Sequence, residues 1–459
     1  MNSKEQTILQ TFADYFCAGK YDQIPPEVVH KSKLLLVDLV GVAIAGLKMD
    51  FPKMMIDYLA DLQGKPEATL FGSTTKVPAL HAALGNGVSG HALDMDDGYR
   101  FGGVHAGVAV IPAALAYAEA NKASGQSLLL SIIMGYEIVN RISKAMNPSH
   151  LNRGFHTTGT LGVLGAAAAC GVLGGLNKEQ MSSAMSIAAL QGAGLLQILT
   201  EGAMVKPLHP GKAAMAGVLS VDLAKRGANG PVTALEGQKG LFKAMADEVK
   251  LDALFEGLGS HFYLHDQYIK LHAACRHVHP TVDGVQEIMR KHQLKFADIE
   301  SVDIATYPVA ISFCGAKEIP DSAEGAKFSL AYSVAMAAYY GDVGEDRYVQ
   351  SVVANKEIQG LANRINATLD DKWAKAYPAS RGASIVLKTK QGATHSVDVP
   401  LAKGEPENPA SDDDIIAKYR HNAEGQDPAV VEQLLQVLLS LEKHSASDVT
   451  ALMANMRRG

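Results

Sequence analysis

TTGTLGVLGAAAACGVLGGL, residues 157–176, is twenty residues without a charge. A run of that length is enough to cross a bilayer. It is built largely from Gly, Ala and Thr, however, which contribute little to membrane insertion. Helices that are apolar all round also occur at the centre of large soluble proteins. The stretch therefore reads as a buried core helix around which other helices pack. The composition agrees. Alanine and glycine are plentiful, tryptophan occurs once (Trp373), and 47% hydrophobic with 20% charged residues is the balance of a soluble globular chain. Closely packed helices suit that mixture better than a β-sandwich.

Working outward, helical patterns cover 26–47, with proline near the first turn, then 108–120, 127–146, 177–196 and 211–227. Gly, Pro or Asn stands at each break. Residues 68–72 offer at best one short strand. The character changes near residue 265. Residues 299–311 alternate like a strand, 384–400 read as a hairpin turning at Gln391-Gly392, and 326–340 between them are helical. The end, 427–444 and 447–456, is helical again. The expected fold is mainly α. A large all-helical domain takes both chain ends, 1–265 and 401–459, and a smaller α+β lid domain is inserted at 266–400.

Several function classes drop out. A net charge of −6 without a basic run argues against nucleic acid. The N-terminus is amphipathic, with a capping pattern at Ser3–Gln6, and does not read as a signal peptide. Cys17, Cys170, Cys275 and Cys314 are scattered, which fits free thiols in the cytoplasm rather than a zinc ribbon or a disulfide scaffold. There is no Walker loop. GVLGGL (171–176) follows no strand, so it reads as helix packing rather than a phosphate cradle.

Four stretches concentrate chemistry. GHALDMDDGYRFGGVHAG (90–107) sets Asp94, Asp96 and Asp97 between His91 and His105, just before a helix. Like charges this close repel, so they cap a helix, bind a cation or handle protons. NRGFHTTGTLG (152–162) puts His156 beside three threonines at the start of the apolar helix. MVKPLHPGKAAMAG (204–217) carries Lys206, His209 and Lys212 into a helix N-terminus, where cations are unfavourable unless an anion sits there. YIKLHAACRHVHPTVDG (268–284) gathers Lys270, His272, Cys275, Arg276, His277 and His279 as a cationic cluster for carboxylates, with Tyr332 as its partner. No third metal ligand stands at a usual spacing. Together these point to a site without metal or organic cofactor that binds a small, multiply charged acid and moves protons next to a carboxylate.

At these motifs the chain resembles the 2-methylcitrate dehydratase (MmgE/PrpD) family, which includes cis-aconitate decarboxylase and iminodisuccinate epimerase. GHALDMDD with VHAG, GYEIVNRI (135–142), GFHTTGTLG, KPLHPGKAA, IKLHAACRHVHPTVDG, AKFSLAY and GEPENPASDDDIIAKYR (404–420) occur in the family's order over nearly the whole chain. The resemblance implies a helical domain with an α+β lid and the site between them, a homodimer, and no cofactor. It places site residues at Asp94, His105, His156, Lys206, Lys270 and Tyr332. His105 or His156 then takes and returns protons, Lys206 and Lys270 hold carboxylates, Tyr332 donates a proton or hydrogen bond, and Asp94 tunes a nearby histidine. His277 and Arg100 are further candidates for the substrate's carboxylates. Two departures fall in this region: Gly98 stands where many relatives have Thr, and Ala106 follows His105 where relatives often have Pro. The reaction read from this stage is a lyase on a small di- or tricarboxylate, most simply a dehydratase or hydratase. A decarboxylase or epimerase on the same scaffold is the alternative, and a non-catalytic acid binder the different class.

Overall fold

The uncharged stretch forms one helix, Thr157–Leu173, buried from Thr157 to Gly171. Its neighbours in the chain are Pro26–Gly46 (α1), Ala79–His91 (α2), Gly107–Ala120 (α3) and Gly125–Met146 (α4); it is itself α5, and Leu208–Lys225 is α6. α5 packs on α3, α4 and α6, and α6 on α2. Small residues make this closeness sterically feasible. A Cβ at Gly217 of α6 would run into Ala166 of α5. Leu161 and Leu164 are fully buried in the resulting core, each contributing about 2 kcal/mol. Among the described residues, no helix is long and apolar enough to cross a membrane.

This computed structural model describes residues 6–201 and 203–459. The cap expected at Ser3 lies outside them. The first helix, Ile8–Ala18, starts instead behind a reciprocal box of Thr7 and Gln10. The helix expected over 177–196 stops at Ala189, and turns follow to 196. The short strand near 68 is half of a two-residue pair, Ala68–Thr69 with Lys76–Val77.

The chain divides into two compact units. The first comprises Met1–Ala92, Asp96–Tyr268 and Ser411–Gly459, and closes with helices Asp412–Asn422, Pro428–Leu439 and Ala446–Ala454. The second comprises Leu93–Met95 and Ile269–Ala410. The inserted segment thus runs from residue 269 to 410 and takes three residues of the aspartate run with it.

In the second unit, His279–His292 (α7) precedes strand Ile299–Thr306 (β1); helix Leu330–Tyr340 (α8), strands Ile365–Leu369 (β2), Ala383–Thr389 (β3) and Thr394–Val399 (β4) follow. The sheet order is β2-β1-β3-β4, with β1 parallel to β2 and the other pairs antiparallel. β3 alternates, burying Ala383, Ile385, Leu387 and Thr389, and α7 packs on β3, β4 and α8. The hairpin turns where expected, with Gly392 at φ +86°. The strand expected to reach residue 311 ends at Thr306 because Pro308 opens a helix, Pro308–Cys314, with proline in its first turn.

Candidate active site

In the first unit, two turns and two helix starts bring four imidazoles together. α2 ends on His91. The chain then runs to Tyr99, whose backbone pairs with Val104, and returns His105 just ahead of α3. His156 precedes α5, and its N–H donates to Gly194 O at 3.0 Å. His209 lies in the first turn of α6. The His105 N–H donates to Thr158 Oγ1 at 3.1 Å, tying its loop to the first turn of α5. Ring centroids are 5.1 Å apart for His91 and His105, 6.0 Å for His91 and His156, and 5.1 Å for His156 and His209.

The hydrogen bonds assign tautomers. His91 Nδ1 lies 2.9 Å from both Asp96 carboxylate oxygens. His105 Nδ1 lies 2.8 Å from the Asp97 carbonyl and 3.3 Å from Asp96 Oδ2. A carbonyl only accepts, so His105 carries its hydrogen on Nδ1 and, when neutral, presents a bare Nε2. Burial alone would raise the Asp96 carboxyl, but His91 and His105 outweigh it and hold it well below the usual range. With Asp96 ionised, His91 also donates from Nδ1, leaving its Nε2 buried without a partner. Burial pushes His91 down to about 4, against the pull of Asp96. His156 is likewise driven well below the usual histidine value by burial, then by Lys206, His91, His209 and His105. The ammonium of Lys206 thus bears on His91, His156 and His209 at once.

His91, Asp96 and His105 offer three ligand atoms within 4.8 Å of one another, a spacing that suits a metal ion. The same three residues take part in the hydrogen bonds just described. Asp97 has a different fate. Burial, with Asp96 and Asp38 nearby, raises its carboxyl well above the usual range, beside the Tyr136 hydroxyl. A Cβ at Gly107 would strike both groups, which is why glycine starts α3.

The expected crowding of three like charges is therefore resolved by separation. Asp96 is the carboxylate that meets His91 and His105, while Asp94, which the sequence reading sets to tune a nearby histidine, acts on His277, whose pKa it pulls upward. Asp94 belongs to the second unit, at φ +52°. There Lys270 Nζ donates to its carbonyl at 2.6 Å and lies 3.3 Å from its Oδ2.

The rest of the 268–284 stretch is not the open cationic cluster the sequence suggests. Arg276 Nε donates to Glu405 Oε1 at 3.0 Å, and His272 Nε2 pairs with Asp283 Oδ1 at 2.8 Å. His277 Nδ1 shares a 2.6 Å hydrogen bond with the Tyr307 hydroxyl, and burial, then Arg381, Lys270 and Arg276, drive it well below the usual value despite Asp94. Tyr332 is fully buried on α8 and its hydroxyl donates to Val352 O at 2.8 Å. Burial, with Tyr340, pushes it up to about 12.

In the first unit, Arg100 is buried with its guanidinium 4.8 Å above the Phe101 ring. Gly98 has a steric reason. It exchanges backbone hydrogen bonds with Tyr268, and a Cβ there would come 2.5 Å from the Tyr268 ring. A threonine does not fit. Of the candidates, then, the first unit assembles His105, His156 and Lys206, and adds His91, Asp96 and His209. His91 and His209 stand inside the singled-out motifs; what marks them is only the partner each meets.

Residues 10–253 match the MmgE/PrpD N-terminal domain and residues 272–442 the MmgE/PrpD C-terminal domain. Curated relatives include a cis-aconitate decarboxylase-like protein of Aspergillus oryzae, 26% identical over 99% of this chain and 98% of that protein. Cis-aconitate decarboxylase of Aspergillus terreus is 26% identical over 94% of this chain and 92% of its own length. The human cis-aconitate decarboxylase is 25% identical over 95% and 92%.

Proposed function

Because the chain belongs to the MmgE/PrpD family, we propose that it is a lyase acting on a small di- or tricarboxylic acid. The observation that carries this reading is the imidazole cluster of the first unit with Lys206 beside it. Decarboxylation of an acid of the cis-aconitate kind is the reaction the relatives support best. The dehydration expected from sequence takes second place.

In a decarboxylation the C–C bond to one carboxylate breaks and CO₂ leaves. Its electron pair spreads into the adjoining unsaturated acid, and one proton must then be delivered to carbon. Lys206 holds a remaining carboxylate and stabilises the charge that develops. His156, whose ring feels the Lys206 charge, delivers the proton. His105, whose bare Nε2 is set by its bonds to Asp97 and Asp96, is the base when the substrate brings a C–H to remove. The reading uses no metal or organic cofactor, and the working form is a homodimer.

The test is turnover of cis-aconitate, citrate and 2-methylcitrate, following CO₂ and the absorbance of the conjugated alkene, with and without a chelator. CO₂ from cis-aconitate, unchanged by chelator, is the expected result. Alkene from 2-methylcitrate without CO₂ makes the enzyme a dehydratase. Deuterium wash-in at a stereocentre with neither makes it an epimerase. Binding without turnover or exchange across an acid panel overturns the enzymatic reading.

A further inference from the structure

His156 Nδ1 and His209 Nδ1 lie 2.9 Å apart. We propose that this pair is a proton relay, in which a proton given up at Nε2 of His156 is replaced through the single hydrogen between the two Nδ1 atoms by one taken up at Nε2 of His209. The inference rests on the reading of the cluster as acid–base machinery and deepens it: His209 is the positioning residue that decides whether His156 is an acid or a base.

Two bare nitrogens at that distance repel through their lone pairs, and two N–H groups collide. One hydrogen must lie between them. A neutral imidazole carries only one. The ring that donates from Nδ1 is therefore bare at Nε2, and the ring that accepts carries its hydrogen at Nε2. The two rings always hold opposite tautomers.

The neighbouring rings differ. His91 and His105 meet a carboxylate or a carbonyl at Nδ1, groups that only accept there, so their tautomers are locked. The Nδ1 partner of His156 is another imidazole, which can either give or take. Among these three rings, His156 is the one whose tautomer can be reversed.

The close approach is also built into the backbone. A Cβ at Gly194 would lie 3.3 Å from His209 Nδ1 and 3.4 Å from His156 O; one at Gly159 would lie 3.0 Å from His209 Cβ and 2.8 Å from Ala193 O. A side chain at Gly159 would force Ala193 to shift, and one at Gly194 would press on the pair. His156 is buried and His209 half-buried, so the relay leads from the interior outward.

The step balances. His156 gives its Nε2 hydrogen to the substrate carbon, the Nδ1 hydrogen of His209 crosses to His156 Nδ1, and His209 takes a proton from water at Nε2. One proton enters, one leaves, and the pair's charge is unchanged. Lys206, Lys212, His91 and His105 bear on the pair. The lysine charges disfavour an imidazolium, so a proton passes through the pair without resting on it. The reverse sequence, with water in the emptied site as donor, resets it.

The experiment has two arms. In the resting protein, ¹⁵N-imidazole NMR should show His156 and His209 as opposite tautomers with N–N coupling across their hydrogen bond, the signals assigned by their loss in His156→Gln and His209→Asn. In turnover, His209→Asn keeps a hydrogen-bonding group near Nδ1 but cannot pass a proton, so kcat should fall about 10²-fold with KM little changed. His209→Ala should fall as far and recover at least about tenfold with added imidazole, which should leave His209→Asn unrescued. Wild-type kcat in His209→Asn, or like tautomers without coupling, overturns the relay. The NMR arm needs no substrate. Opposite tautomers in a protein that turns over no acid would sink the lyase reading and leave the coupled pair standing.

Discussion

Asp94 and Asp96 stand two residues apart, yet they serve two regions built on opposite principles. Around Asp94, in the second unit, three basic groups each have their own acid: Lys270 with Asp94, Arg276 with Glu405, His272 with Asp283. Around Asp96, in the first unit, His91 and His105 share one carboxylate, the Lys206 charge bears on His91, His156 and His209, and His156 and His209 bond to each other. Locally matched charge fixes geometry. Unmatched imidazoles with lowered pKa values can exchange protons and respond to an arriving anion. The number of basic residues in a stretch therefore says less about chemistry than whether each has its own acid.

The sharpest way to break this comparison is to unmatch a pair. Glu405→Gln removes the carboxylate from a buried guanidinium and should cost about 3 kcal/mol of stability, read from the urea midpoint. A variant as stable as the parent would mean that the matched pairs are not what holds the second unit. Next come His156→Ala and Lys206→Ala, each expected to lower turnover about 10²-fold or more while the denaturation midpoint moves little. Near-normal rates in both would remove the imidazole cluster as the acid–base centre.

The third test uses pH. The folded value of His91 is depressed to about 4 while the unfolded value is near 6.5. Between those limits the unfolded chain binds the proton and the folded chain does not, so stability is lost as pH falls. From pH 6.5 to 5 the loss should be about 2 kcal/mol for this ring. Denaturation midpoints across that range in the parent and in His91→Asn check it; an equally steep acid limb in the variant would assign the loss elsewhere. The smallest effect is expected from Tyr332→Phe. With the hydroxyl donating to Val352 O, its removal should cost about 1 kcal/mol and leave turnover nearly unchanged. A large fall in kcat would instead support the proton-donating role the family resemblance implies.

Much of this was legible in the residues. The uncharged run announced the central helix because nothing in it needs water. Pro26 marks a helix start, and Gly392 marks a turn that needs positive φ. His105, His156 and Lys206 could be picked out because each stands in a Gly- or Pro-rich turn leading into a helix. Asp94 comes from the family motif, and the spacing of Asp94 and Asp96 does not say which histidine each meets in an irregular turn. His209 was visible as a residue but not as a partner, since 53 positions separate it from His156.

What the sequence determined by itself is therefore what depends on neighbours along the chain: helix and strand periods, their punctuation, the insertion of an α+β segment between helical ends, and the family. What only the tertiary structure decided is which carboxylate meets which cation and where each proton sits. Protonation follows burial and the distance to other charges. Both are set when helices far apart in sequence close to contact, and no local pattern records them.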